Sequence, residues 1–168
     1  LTMAALCVGM MLHGGVIAAC GTFFVFSDYQ KPVIRLAALM QVPVKFVWTH
    51  DAFRVGEDGP THEPVEQEAQ IRLMEKLHNH SGQRSMLVLR PADVHETTVA
   101  WQMAMENDQT PTGLILSRQN IDDLPNEGLT PYARAVRMMC GGYIVSDDEG
   151  AEMALVATGS EVATLEAA

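Results

Sequence analysis

Thr49-His50-Asp51-Ala52-Phe53-Arg54-Val55-Gly56-Glu57-Asp58-Gly59-Pro60-Thr61-His62-Glu63-Pro64-Val65-Glu66-Gln67 carries more information than any other stretch of the chain. It follows an unbroken apolar run, Val44 to Trp48, and packs two histidines, five carboxylates, two glycines and two prolines into nineteen residues. A connection this long inside a compact domain is either functional or disordered. The glycines and prolines are spaced as turn formers between apolar flanks, which argues for order. An ordered polar loop at the carboxyl end of a buried strand is where open α/β sheets bind ligands.

Outward from this loop the chain alternates helix and strand. Leu1 to Leu12, apolar all round, predicts a buried helix stopped by Gly14-Gly15. Val16 to Cys20 reads as a short strand, and Phe23 to Leu39 as a helix with Pro32 near a break or an early turn. Val44 to Trp48 lacks alternation and predicts a strand covered on both faces. Val65 to Leu77 reads as helix and Met86 to Leu89 as strand. Asp93 with Glu96 resembles a capping box opening a helix through Glu106, and Thr112 to Ser117 is the next strand. His78 to Ser85 is a polar excursion between helix and strand. The fold class expected is α/β, a doubly wound parallel sheet.

The character changes after residue 121. Asp122-Asp123, Pro125-Asn126, Gly128 and Pro131 cluster as loop formers, followed by an amphipathic stretch from Tyr132 to Met139. Residues 1–121 are therefore read as the main domain, lacking its start, and 122–150 as a connector. Residues 151–168 are read as the opening of a second domain, or a tail docked on the first, with a strand expected over Met153 to Ala157 and a turn into helix at Thr158 to Glu161.

Composition narrows the function. Hydrophobic residues at 48% suffice for a core, and no apolar stretch approaches the ~18 residues of a membrane span. Net charge is −10, distributed as +2 over residues 1–50, −5 over 51–121 and −7 over 122–168. No basic stripe tracks a nucleic-acid backbone. Anionic substrates would need individually placed arginines and histidines. Cys7, Cys20 and Cys140 show no metal spacing and fit reduced thiols in a cytoplasmic protein.

Taken residue by residue, the chemistry has two readings at most positions. His50, just past a strand, suits either a phosphate or hydroxyl contact or a loop cap. Asp58 between glycines suits a polyol contact or an Asx turn. Arg118 suits a bidentate phosphate grip or an ion pair in an acidic chain, while Arg90 favours a structural ion pair. Phe23, Phe26 and Tyr29 recur as one face of a helix start and, on spacing alone, form a core stripe. His50, Asp58 and His62 match no common zinc spacing, so no metal ligands are assigned. Arg54 has no derivable role.

His50-Asp51, Gly56-Glu57-Asp58-Gly59-Pro60-Thr61-His62 and Pro64-Val65-Glu66-Gln67 together resemble the signature of transketolases. Leu12-His13-Gly14-Gly15, Arg90-Pro91-Ala92-Asp93, Ile115-Leu116-Ser117-Arg118-Gln119-Asn120 and Ala157-Thr158-Gly159-Ser160-Glu161-Val162 fit in the same order, so the resemblance covers nearly the whole chain. It implies a pyrimidine-binding domain and thiamine-diphosphate-dependent transfer of a two-carbon ketol unit between sugar phosphates. The implied roles are substrate binding for His50, Asp58, His62 and Arg118, and proton transfer or oxyanion stabilisation near the thiazolium for His62. Phe23, Phe26 and Tyr29 would pack against the aminopyrimidine. The resemblance also implies a homodimer with each active site at the subunit interface.

Two departures qualify it. The family's catalytic glutamate would lie just before Leu1, and nothing here resembles the Gly-Asp-Gly…Asn pattern that holds the diphosphate with Mg2+ or Ca2+. Ala52 replaces a usual Ser, and Glu63 a usual Gln. The chain is therefore expected to carry half a cofactor site. A dihydroxyacetone synthase, a deoxyxylulose-phosphate synthase, a 2-oxo-acid dehydrogenase β-type subunit and an inactive interaction module are the alternatives.

Overall fold

The computed structural model describes residues 1–51 and 55–168; Ala52, Phe53 and Arg54 lie outside the described residues. Four strands, β1 (Ala19–Phe23), β2 (Lys45–Thr49), β3 (Leu87–Leu89) and β4 (Thr112–Ile115), form one sheet in the order β1-β2-β4-β3. Every pairing is parallel. Around them run α1 (Thr2–His13), α2 (Lys31–Met40), α3 (Gln67–Lys76), α4 (Val94–Glu106), α5 (Pro131–Ala135) and α6 (Val162–Glu166).

The pleat sorts the core into two layers. Phe46, Trp48, Val88 and Ile115 face a cluster that includes Cys7 and Val8 of α1, Ile34 and Ala37 of α2, and Ile71 of α3. Their strand neighbours Val47, Leu87, Leu89 and Leu114 face Ala100, Trp101 and Ala104 of α4, with Met138 beyond. Alternate residues pointing to opposite covered faces is what an unbroken apolar strand encodes, and the doubly wound expectation holds. The crossovers through α2 and α3 step the chain one way along the sheet on one face. That through α4 steps it back on the other, so all three have the same hand.

Several boundaries moved. The first strand is Ala19–Phe23 rather than Val16 to Cys20, because pairing with Lys45–Thr49 sets the register and carries Phe23 to the strand's carboxyl end. The helix expected over Phe23 to Leu39 divides into a 3-10 segment, Phe24–Tyr29, and α2, with Pro32 in the first turn of α2, where its missing N–H costs nothing. Helix α1 is not buried all round. Ala4, Cys7 and Val8 are inside, whereas Leu1, Met3, Leu6, Met10 and Leu12 are exposed. It ends at Gly14, which at φ 89° caps the carbonyls of Met10 and Met11.

The capping box forms, with a shift. Asp93 Oδ1 accepts the Glu96 N–H at 2.8 Å, while Glu96 Oε2 reaches past the cap to the Ala92 N–H at 2.8 Å. The excursion from His78 to Ser85 is an ordered turn closed by a bridge between His78 and Arg84, its carboxamide Asn79 accepting from the N–H groups of Ser81 and Gln83.

The amphipathic stretch becomes α5 plus a 3-10 turn, Val136–Cys140. It is locked to α4 by buried Arg134, which pairs with Asp93 and donates to the Tyr143 hydroxyl at 2.7 Å. Leu124 N–H also donates to Asp93 Oδ2, at 3.1 Å. Burial and the Glu96 carboxylate push Tyr143 up to about 12. No strand forms over Met153 to Ala157. Met153, Leu155 and Val156 are exposed, and no described strand lies beside them to complete a ladder.

Two positions in the sheet are tightly constrained. Trp48 lies across Gly113 of the adjacent strand, where a Cβ would sit 2.5 Å from the Trp48 ring and 2.8 Å from Met86 Cε. Its indole N–H donates to Gln30 Oε1 at 2.7 Å inside the protein. Lys45 is buried in β2 and donates to the Asn107 carbonyl at 2.7 Å. Burial pulls its pKa down to about 8, partly offset by the Asp108 carboxylate.

Gly113→Ala should destabilise by about 1–3 kcal/mol through overpacking, read as a lowered melting temperature. Lys45 yields a pH signature. Its folded pKa lies below the ordinary 10.5, so between about pH 8 and 10.5 the unfolded chain binds more protons and stability from this group rises with pH. The stability of wild type relative to Lys45→Met should therefore increase across that window, by at most about 3 kcal/mol. The difference isolates Lys45 from Cys20, which burial and neighbouring Cys7 push up to about 12 and which costs both proteins stability from about pH 9 upward.

Candidate functional site

Strand order puts the point where the winding reverses between β2 and β4. The chain leaving β2 turns to the face that carries α3, and the chain leaving β4 runs to α5, packed on α4 across the sheet. Such divergence at the carboxyl ends of adjacent strands is the switch point where open parallel sheets bind ligands. The loop after β2 supplies His50, Asp58 and His62, and the chain after β4 supplies Arg118.

His50 holds a left-handed backbone at φ 64°, which costs a non-glycine residue about 1–2 kcal/mol and persists only where surroundings over-determine it. Its ring stacks on Phe23 with centroids 3.7 Å apart. Nδ1 lies 2.9 Å from Thr49 Oγ1 and Nε2 lies 3.3 Å from Asp58 Oδ2. Arg118 Nε is 3.3 Å from the same carboxylate oxygen, and Nη2 is 3.4 Å from Glu57. Asp58 thus holds a histidine and an arginine side by side. Gly56 makes room for this, since at φ 76° a Cβ there would lie 3.0 Å from Arg118 Nη1.

His62 is half-buried, its Nδ1 2.9 Å from Thr61 Oγ1. It sets its ring edge against Phe26 at 5.4 Å and Phe23 at 6.0 Å. Phe26 stacks in turn on Phe23 and Tyr29, each at 6.1 Å. These three rings are not a core stripe. Phe23 and Phe26 are half-buried and Tyr29 is exposed, while Phe24 enters the core. The result is an accessible aromatic surface bordered by two histidines. At the loop's far end Gln67 is buried, donating to Asp28 at 3.0 Å and accepting from the Val65 N–H at 2.9 Å. Burial alone would raise the Asp28 carboxyl, but bonds from Lys31 and Gln67 hold it below its ordinary range.

All seven expected site residues therefore gather at one end of the sheet. Arg118 is paired with carboxylates, as one of its two readings has it, and lies at the carboxyl end of β4 beside His50 and Asp58. Arg90 is an ion-pair residue as expected. Among the described residues, no group of three or more His, Cys, Asp or Glu side chains is arranged to hold a metal ion. Sequence reasoning missed buried Arg134 and Lys45, which nothing in the local pattern distinguishes from surface charges. Ala52 and Arg54, noted in the sequence, lie outside the described residues.

Known proteins share this fold. The family described as the transketolase pyrimidine-binding domain matches residues 1–123. The chain belongs to that family. A transketolase from Halalkalibacterium halodurans is 48% identical over 161 residues, covering 95% of this chain and 22% of its own length. One from Bacillus subtilis is also 48% identical, over 165 residues. The chain thus spans about a fifth of the length of the transketolases it matches. A Pichia stipitis transketolase in complex with sedoheptulose-7-phosphate superposes with a TM-score of 0.80 at 35% identity, over 97% of this chain and 22% of that one. A split-gene transketolase, described as an inactive β4 tetramer, matches 74% of this chain at 25% identity with a TM-score of 0.57.

Proposed function

We propose that this chain is the pyrimidine-binding part of a cytoplasmic transketolase of the pentose phosphate pathway, which moves two-carbon ketol units between sugar phosphates with thiamine diphosphate. The observation that carries the reading is the aromatic surface of Phe23, Phe26 and Tyr29 set beside His50, Asp58, His62 and Arg118 at the switch point. The accessible rings suit a flat heteroaromatic ring, which Phe26 would stack against. When bound, thiamine diphosphate supplies the carbon nucleophile that carries the two-carbon unit. We assign its diphosphate and a Mg2+ or Ca2+ ion to a domain outside this chain.

The chain's own residues then divide the work. Arg118 and His50 offer N–H donors to a substrate phosphate or hydroxyl, and Asp58 orients both while accepting from a sugar hydroxyl. His62, near the rings but outside the core, is placed to move a proton at the substrate's carbonyl oxygen or to donate to the developing oxyanion. Residues 122–150 would connect to a further domain beginning near residue 151, whose opening strand would form only beside its own neighbours. The same logic covers the exposed apolar side of α1, where Leu6 and Met10 line a surface hollow together with Val16. In a homodimer of the complete enzyme the partner subunit would bury that face, and its diphosphate-binding domain would complete the active site. The split-gene relative, described as an inactive β4 tetramer, is an example of a transketolase piece that associates with itself.

In a complete transketolase carrying this segment, His62→Ala should lower kcat on the order of a hundredfold with little change in melting temperature. A rise in KM alone would make His62 a simple binding group. The 168-residue chain by itself should self-associate, measured by analytical ultracentrifugation at tens of micromolar. A monomer at every concentration would favour a stand-alone module.

A further inference from the structure

Behind the site, Asp51 is 1% exposed and carries no ligand role, yet it is gripped from two distant parts of the chain. Arg90, at the carboxyl end of β3, donates to Asp51 Oδ2 at 2.9 Å, and Ser160 Oγ donates to the same oxygen at 2.6 Å. Arg90 also meets Glu161 at 2.6 Å and Glu68 of α3 at 3.4 Å. These carboxylates raise its pKa although burial alone would lower it. The junction has no slack. Gly159 stands at φ 61°, where a Cβ would come within 2.6 Å of Arg90 Cγ and Nε.

We propose that Asp51, Arg90 and Ser160 form a positioning clamp through which the segment Gly159–Glu161 sets the orientation of His50. Asp51 directly follows His50, whose left-handed backbone requires neighbours that hold it. The clamp fixes the peptide leaving His50 by binding the next side chain, while Phe23 and Asp58 fix the ring. Docking of the tail thereby reaches the ligand-facing histidine without touching ligand. Its importance for substrate rests on the role proposed above for His50, but the coupling itself does not.

The test is NMR of the 168-residue chain carrying isotopically labelled histidine. His50→Gln identifies the His50 signal among the six histidines, and Phe23→Leu supplies its unstacked position. Ser160→Ala and Arg90→Lys should each move the His50 ring signals toward that unstacked position. Arg134→Lys, which weakens a buried ion pair elsewhere, should lower the melting temperature and leave them in place. Lowered stability with unmoved His50 signals in both clamp variants would make the cluster merely structural and overturn the proposal. So would an equal movement in Arg134→Lys. If Arg90→Lys does not fold, Ser160→Ala, which removes one donor, decides alone. Titration with inorganic phosphate is a separate arm: a wild-type chain that ignores phosphate counts against the reading of the site, whereas the clamp is judged without ligand. If phosphate binds, Ser160→Ala should weaken it several-fold.

Discussion

The contact of the Trp48 ring with Gly113 is the constraint on which the rest of this structure depends. It lets β2 and β4 lie side by side with a bulky aromatic on one face, a fit available only because Gly113, the residue the ring crosses, has no side chain. The pairing of those two strands defines the switch point, since the chain leaves each toward a different face. Had β2 paired with β3 instead, Arg118 would emerge two strands away from His50 and Asp58, with β3 between. The Trp48 N–H bond to Gln30 extends the same contact to the segment that displays Phe23 and Phe26. One packing decision thus aligns the sheet, the polar loop and the aromatic surface.

How far the sequence disclosed this differs by element. Strands β2, β3 and β4 were legible because both faces are covered and the runs are continuously apolar. Helix α4 was legible from its cap. The first strand slipped by three residues because Val16 and Ile17 are as apolar as Ala19 to Phe23, and only hydrogen bonding with β2 distinguishes them. Helix α1 misled for a related reason. Apolarity on every side encodes burial, but not burial by what, and this chain covers only one of its faces. The gathering of the site residues rested on motif resemblance; spacing alone left His50, Asp58 and Arg118 each with two readings, and read the aromatic positions wrongly as core.

Charge ties these observations together. If a chain of net charge −10 is to hold phosphates, as proposed above, it must keep its cations from being neutralised by its own carboxylates. It does so by segregation. Arg90 and Arg134 are buried among carboxylates, where removing either partner would leave a charge uncompensated. Arg118 is left about a third exposed, meeting Glu57 and Asp58 at 3.3–3.4 Å. Pairs at that exposure are worth little in water and are readily exchanged for a stronger anion. A phosphate, with a fixed charge and oxygens matched to the guanidinium fork, is such an anion.

That difference explains why neighbouring acid–base contacts play unlike parts. The Asp51–Arg90 pair is deep and shares a serine donor from the tail, with Arg90 and Ser160 at 2.9 and 2.6 Å from one carboxylate oxygen. The Asp58–Arg118 and Asp58–His50 contacts are longer, at 3.3 Å each, and lie where the Asp58 and Arg118 side chains are about a third exposed, so they preset direction more loosely. Rigid pairing beneath and loose pairing at the mouth is what a binding site on a loop requires, because the loop must be ordered before ligand arrives yet keep donors to offer. The strained backbone of His50 sits at the boundary between the two regimes. Its side chain belongs to the mouth, and its carbonyl leads directly into the buried clamp.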